Sequence, residues 1–277
     1  MTRKAEIVVV GGGPAGCIVA LGLARLGHQV RLITAPRRRS ATEGFSERVV
    51  RALEANECRH ALGALGPVVP REASWNGEKS AANQEWVVAR EHFDAALLED
   101  ASAAGTTIEH VRVRRLHRLP QGWRIETGGD TFAADYLIEA RGRQAPGRRR
   151  RGPATTSLGQ TWRGLPKGGR TAVTGFRRGW AWFATTGDGC GSLQIMLASD
   201  PAVLPKRSGL AAFYATLLAE IDARAWLADA QPDGAVHARH AETSAAVTPL
   251  GDGHVRVGDA VLAIDPLAGH GVFEAIA

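Results

Sequence analysis

The feature that most limits what this chain can become lies in its first sixteen residues. An apolar run, Ala5 to Val10, ends in Gly11-Gly12-Gly13-Pro14-Ala15-Gly16, and an apolar helical pattern follows from Cys17 to Leu26. Strand, tight turn and helix, in that order, form the context in which a glycine-rich turn holds the pyrophosphate of a dinucleotide. Gly11 lets the chain leave the strand sharply, Gly13 lets phosphate approach the backbone, and Gly16 lets the helix pack on the strand. Pro14 and Ala15 complete the turn. The unpaired N–H groups and positive dipole end of the helix face the phosphates.

The rest of the composition narrows the class. With 277 residues, 44% of them hydrophobic, the chain can bury a large core as one domain or two joined lobes. No apolar run approaches the roughly 20 residues of a membrane span. Arg3, Lys4 and the apolar run after them look like the start of a signal peptide, but the glycines interrupt that run too early, so it reads as a buried parallel strand. Cys17, Cys58 and Cys190 are widely spaced, which argues against a disulfide framework or a zinc site and for a cytoplasmic protein. His237 and His240 lack a third ligand at metal-site spacing, so no metal is expected. The net charge of +6 gathers in Arg37 to Arg39 and Arg148 to Arg151, both beside turn residues and without interleaved aromatics. They read as solvated loops; neither nucleic acid nor membrane is an expected partner.

Gln29 to Ile33 reads as the second parallel strand, and the slot that usually carries a ribose-binding acid falls on Thr34. A hydroxyl there makes fewer hydrogen bonds than a carboxylate. Either the cofactor is held more weakly, or Arg37 to Arg39 accept a cofactor with a 2′-phosphate; the C-terminal motif favours the first. Glu47 to Asn56 reads as a helix on which Arg48 reaches either a phosphate or a surface acid. Residues 58 to 84 give no clear pattern, and Trp75 suggests an excursion near a pocket. Glu85 to Arg90 reads as a strand and Glu91 to Ala104 as a helix, and Gly128-Gly129-Asp130 marks a hairpin between strands. Asp135 to Gly142 reads as another buried strand. Thr171 to Ser199 is strand-like and aromatic, followed by an amphipathic helix from Ser208 to Ile221. His254 to Val257 is a last core strand.

That strand runs into Gly258-Asp259-Ala260 and then Asp265-Pro266-Leu267-Ala268-Gly269-His270-Gly271-Val272. With Gly11 to Gly16, Val88-Ala89-Arg90, Phe93-Asp94 and Asp135 to Gly142, these residues resemble the FAD-dependent oxidoreductases of the para-hydroxybenzoate-hydroxylase-like superfamily. The resemblance implies that Asp259 hydrogen-bonds the ribityl or pyrophosphate region of FAD. It also implies that the helix beginning near Gly269, Gly271 and Val272 aims its N–H groups at the N1/C2=O edge of the flavin, where reduced flavin carries negative charge. Arg48 and Arg90 match positions that approach the cofactor. Gly179 to Ala184 resembles the tryptophan-bearing strand of flavin-dependent halogenases, and Asp265-Pro266-Leu267 with Gly-x-Gly-Val resembles both halogenases and the monooxygenases that mature peptide-derived quinone cofactors. Halogenases place small hydroxyl residues where Gly269-His270-Gly271 stands, and the context of Lys79 does not match their halogen-carrying lysine; hydroxylation is favoured. Trp180 and Trp182, two apart on one strand face, are either core aromatics or substrate-facing. His270 either assists proton transfer or packs as a neutral residue.

The expected fold is α/β: a Rossmann-like FAD-binding lobe with a parallel central sheet (residues 1–75, 85–160 and 245–277), an antiparallel substrate lobe (161–244), and an excursion at 76–84. The expected function is an FAD-dependent monooxygenase acting on an electron-rich aromatic group, a free small molecule or a tryptophan or tyrosine of a peptide or protein. NAD(P)H or a separate flavin reductase supplies electrons. A halogenase and an FAD-binding but catalytically incompetent homologue are the alternatives. The sequence stops inside a helix at Ala277, as a fragment or a shortened homologue would.

Overall fold

The computed structural model describes residues 2–35, 41–198 and 204–277; the run Arg37 to Arg39 lies outside them. The chain opens with β1 (Thr2–Val10), α1 (Pro14–Arg25) and β2 (Val30–Thr34). Val8, Val9 and Val10 are fully buried, as a central parallel strand covered on both faces requires. Next come β3 (Thr42–Phe45), α2 (Glu47–Ala55), α3 (Arg59–Gly63), β4 (Val68–Trp75), β5 (Glu78–Ala89) and α4 (Arg90–Ala103). The strands β6 (Thr107–His110), β7 (Arg115–Arg118), β8 (Trp123–Glu126) and β9 (Thr131–Glu139) follow.

Residues 149–198 are almost all strand: β10 (Arg149–Arg151), β11 (Thr155–Arg163), β12 (Arg170–Phe176), β13 (Gly179–Thr185) and β14 (Cys190–Ala198). Beyond them lie α5 (Leu210–Glu220), α6 (Arg224–Leu227), β15 (Gln231–His240), β16 (Ser244–Ala246), β17 (Leu250–Gly251), β18 (His254–Arg256), β19 (Leu262–Ala263) and α7 (Gly271–Ile276).

The strands form the expected α/β architecture. The first sheet runs β17-β18-β9-β1-β2-β6, parallel from β18 through to β6, with the hairpin β7–β8 attached to β9. One face packs on α1, α4 and α7 through Ile7, Val9, Leu21, Leu97 and Ile276. The hairpin closes the other face over Val8, Ile125 and Phe132. The second sheet runs β15-β11-β14-β13-β12-β4-β5-β3 and is antiparallel apart from the β12–β4 pair. A small third sheet, β10-β16-β19, joins the two.

The second sheet reaches further into the N-terminal half than the sequence suggests. Residues 42–45, 68–89 and 155–160, expected in the cofactor lobe or as an excursion, pair into it. Asn76 and Gly77 carry positive φ of 51° and 83°, the two-residue turn that suits a hairpin. Residues 76–84 are therefore a hairpin turn and the first part of β5, whose register with β4 shifts between Ala81 and Asn83. Among the described residues no helix is long and apolar enough to cross a membrane.

Candidate functional site

The glycines at the end of β1 divide into two kinds. A Cβ on Gly11 (φ +117°) would lie 2.4 Å from the Ala140 carbonyl oxygen, and one on Gly16 would lie 1.9 Å from the Gly11 oxygen. These two are fixed by the protein's own packing. A Cβ on Gly13 would meet nothing within 4 Å, so its smoothness serves something other than the fold. Gly13 is the N-cap of α1; no side chain caps the helix, Pro14 stands in its first turn, and no acid lies there. Orphan N–H groups at a helix start with open space beside a glycine suit the oxygens of a phosphate.

Thr34 ends β2 where expected. Its Oγ1 accepts the Gly12 N–H at 3.2 Å, so the hydroxyl braces the glycine turn.

The second motif meets the first. Gly258 has φ +56°, and a Cβ there would lie 2.6 Å from the Cβ of Ala15. Asp259 follows, near Gly142 at the end of β9, where a Cβ would come 3.7 Å from the Asp259 Cβ. The Asp259 backbone is clamped: Arg149 donates to the carbonyls of Asp259 (2.9 Å) and Ala260 (2.8 Å). Its carboxylate is half-buried, 3.5 Å from the Arg143 Nε. Burial pushes the Asp259 carboxyl up, Glu43 adds to this, and Arg143, Arg149 and Arg90 oppose it. Arg149 lies in the run Arg148 to Arg151, which the sequence suggests is a solvated loop but whose Arg149–Arg151 form β10, and Arg143 carries no signal in the sequence.

The loop after Asp259 stays open. Asp265 accepts the Leu267 N–H at 2.9 Å, Gly269 turns with φ +66°, and His270 is the exposed N-cap of α7. Neither Gly269 nor Gly271 would bring a Cβ within 4 Å of another atom. Val272 packs partly into the core beside α1. Arg48 lies over the Phe273 ring at 4.3 Å, so it ties α2 to α7. Arg90, matched by resemblance to a position that approaches the cofactor, is engaged within the protein. It is 6% exposed, and its guanidinium donates to Glu43 (2.7 Å) and Asp94 (2.8 and 3.0 Å). Two acids at hydrogen-bond distance hold a buried guanidinium in place, so it acts first as a strut between β3 and α4.

The tryptophan pair sits on the second sheet. Ala181 and Phe183 face the core under α5, where Phe183 stacks on Trp226 at 5.9 Å. Trp180 and Trp182 point to the opposite face and are half-buried, and Trp182 packs on Val69, Val87 and Ala184. On that face the Gln194 Nε2 donates to the Thr42 carbonyl at 3.4 Å, joining it to β3 and so to Glu43. Lys79 is exposed on β5. Among the described residues no group of three or more His, Cys, Asp or Glu side chains could hold a metal ion.

A family model described as glucose inhibited division protein A matches residues 6–68. Among curated proteins none matches. The peptidyl tryptophan dihydroxylase QhpG, essential for tryptophylquinone cofactor biogenesis, is 38% identical in sequence with a TM-score of 0.89, aligned over 99% of this chain and 64% of its own. The present chain thus spans less than two thirds of QhpG. The flavin-dependent brominase Bmp2 is 17% identical with a TM-score of 0.85, over 99% of this chain and 76% of its own. A variant of the halogenase PltM in complex with FAD is 15% identical with a TM-score of 0.81, over 99% and 67%. At those identities the two halogenases speak for the fold alone.

Proposed function

We propose that this chain, which has the fold and paired glycine motifs of the FAD-dependent oxidoreductases of the para-hydroxybenzoate-hydroxylase-like superfamily, binds FAD and belongs to a monooxygenase that hydroxylates an electron-rich aromatic ring, with a peptidyl tryptophan as the favoured substrate. The observation that carries the reading is the meeting of Gly258 with Ala15, which sets an acid, Asp259, beside an uncapped helix start. The 38% identity to a peptidyl tryptophan dihydroxylase supports the substrate class.

The residues divide the work. Gly11 and Gly16 shape the turn; Gly13, Pro14, Ala15 and Gly16 present the start of α1 to the pyrophosphate, and Thr34 fixes the turn behind it. Asp259, set by Arg149 and Arg143, accepts hydroxyl hydrogens from the ribityl chain. Gly269, Gly271 and Val272 bring backbone to the flavin ring; Arg48 and Arg90 hold the surrounding helices. Reduced FAD supplies the oxygen-activating chemistry that delivers one oxygen atom to the ring. Trp180 and Trp182 form an apolar wall that orients the substrate and excludes water. His270, at the mouth of the site, carries a proton to or from the reacting oxygen.

Electrons come from NAD(P)H or a separate flavin reductase. Three unpaired cysteines, two of them buried, suit a reducing compartment such as the cytoplasm. The test is incubation of the reduced, flavin-loaded protein with oxygen and a tryptophan-containing peptide. Gain of oxygen by the peptide supports the reading, whereas hydrogen peroxide alone refutes it. Halogenated product on addition of chloride or bromide would instead establish the halogenase reading.

A further inference from the structure

The turn after β9 carries an arginine whose guanidinium reaches three separate segments. The 3₁₀ turn Gly142–Gln144 packs against the one that holds Asp259, Gly258–Ala260. From there the Arg143 Nη1 donates to the Glu242 carbonyl, and Nη2 donates to the Ile264 carbonyl at 3.1 Å. Its Nε lies 3.5 Å from the Asp259 Oδ2. Ile264 directly precedes Asp265, where the loop to Gly269 and Gly271 begins. One side chain thus ties the acid to the entry of the flavin-facing loop.

Arg149 makes a useful contrast. It donates to the carbonyls of Asp259 and Ala260 and to Ser244, so it holds backbone rather than the carboxylate. The ion pair itself is open to a ligand, with 30% of the Arg143 and 42% of the Asp259 side chain exposed. The charged groups that bear on the carboxylate are Arg143, Glu43, Arg149 and Arg90, and Arg143 acts most strongly among them. Without Arg143, burial and Glu43 would both favour the protonated acid. A carboxylate makes stronger hydrogen bonds to hydroxyl donors than a neutral acid does.

We propose that Arg143 is a positioning residue for FAD, which aims the Asp259 carboxylate at the hydroxyls of the cofactor and sets the lower pH limit of cofactor binding. The inference rests on the FAD-binding reading above and adds the group that regulates it. Arg143 reaches the cofactor only through Asp259 and the loop it tethers.

The experiment measures FAD affinity of the cofactor-stripped protein by flavin fluorescence, from neutral pH down through the carboxylate range. Wild-type affinity should fall as Asp259 takes up its proton. Arg143→Gln should bind about tenfold more weakly at neutral pH, and its loss on acidification should begin at higher pH. Arg143→Lys, which keeps the charge without the fork, should bind more weakly with the wild-type pH profile. Asp259→Asn should remove the acid limit. Melting temperatures of the cofactor-free proteins report on folding. An Arg143→Gln protein that binds more weakly with an unmoved pH profile marks a purely structural residue and overturns the proposal, as does one that binds like the wild type. An Asp259→Asn protein that keeps the wild-type acid limit overturns it too, even if Arg143→Gln fails to fold. These outcomes leave FAD binding intact, whereas a wild type that takes up no FAD overturns both readings.

Discussion

Gly258 and Ala15, from opposite ends of the sequence, touch so closely that a Cβ on Gly258 would lie 2.6 Å from the Cβ of Ala15. This contact locks the C-terminal Gly-Asp motif onto the start of α1, and every cofactor role proposed above depends on it. Gly258 is also left-handed, with φ +56°. Gly258→Ala therefore meets both a clash and an unfavourable backbone, at a cost of about 2–4 kcal/mol. Urea denaturation of the variant, alongside its flavin content, should show both falling together.

Gly13 and Gly16 should separate binding from folding. Gly13 has φ −86° and open space where a Cβ would go, so Gly13→Ala should keep the stability of the cofactor-free protein within about 0.5 kcal/mol. Its FAD affinity should fall by about tenfold or more, because the methyl group occupies the approach of the phosphate. Gly16→Ala, which would drive a Cβ to 1.9 Å from the Gly11 oxygen, should instead unfold the turn. Fluorescence titration with FAD and thermal melting of both variants check the contrast.

Asp259 should cost the cofactor-free protein stability as it ionises. Its carboxyl is raised in the folded state, chiefly by burial, so the folded protein holds the proton more tightly than the unfolded chain. Stability from this group is then fully present below the ordinary aspartate value of about 3.9 and is lost as pH rises through the higher folded value. Asp259→Asn should flatten that part of the pH dependence and leave the cofactor-free protein more stable at neutral pH, while weakening FAD. Denaturation midpoints of the two proteins across the acid range measure the effect.

On β13, neighbouring aromatics should behave in opposite ways. Phe183 is fully buried under α5, and Phe183→Ala should cost about 3–5 kcal/mol. Trp182, half-buried on the other face, should cost less when truncated but should sharply reduce turnover of a tryptophan-containing peptide. Parallel measurements of unfolding and of oxygenated product distinguish the faces.

These contrasts also mark what the sequence conveyed. The parallel strands and the two glycine motifs were legible because burial on both faces leaves continuous apolar runs and because the turns admit only glycine. The hairpin of β4 and β5 was not, although Asn76-Gly77 signals one. In the outer half of β5, Glu78 to Ala81, Asn83 and Gln84 are exposed, and the segment shows no apolar alternation. The spacing of Trp180 and Trp182 established a shared face, but only the pairing of β13 between β12 and β14 says that this face turns away from α5. The partners of Arg90 were hidden for a different reason: Asp94 lies one helical turn on, but Glu43 comes from a neighbouring strand far back in the chain. Arg143 and Arg149 bind carbonyls far along the chain, a pairing no local pattern reveals.

The central claim is that the two glycine motifs together hold one flavin. Titration of the purified, cofactor-stripped protein with FAD, followed by absorbance, tests it most directly. The account predicts saturable uptake of one FAD per chain, with a perturbed flavin spectrum, and marked weakening in Gly13→Ala and Asp259→Asn. A folded protein that takes up no FAD, or variants that bind as well as the wild type, would contradict it.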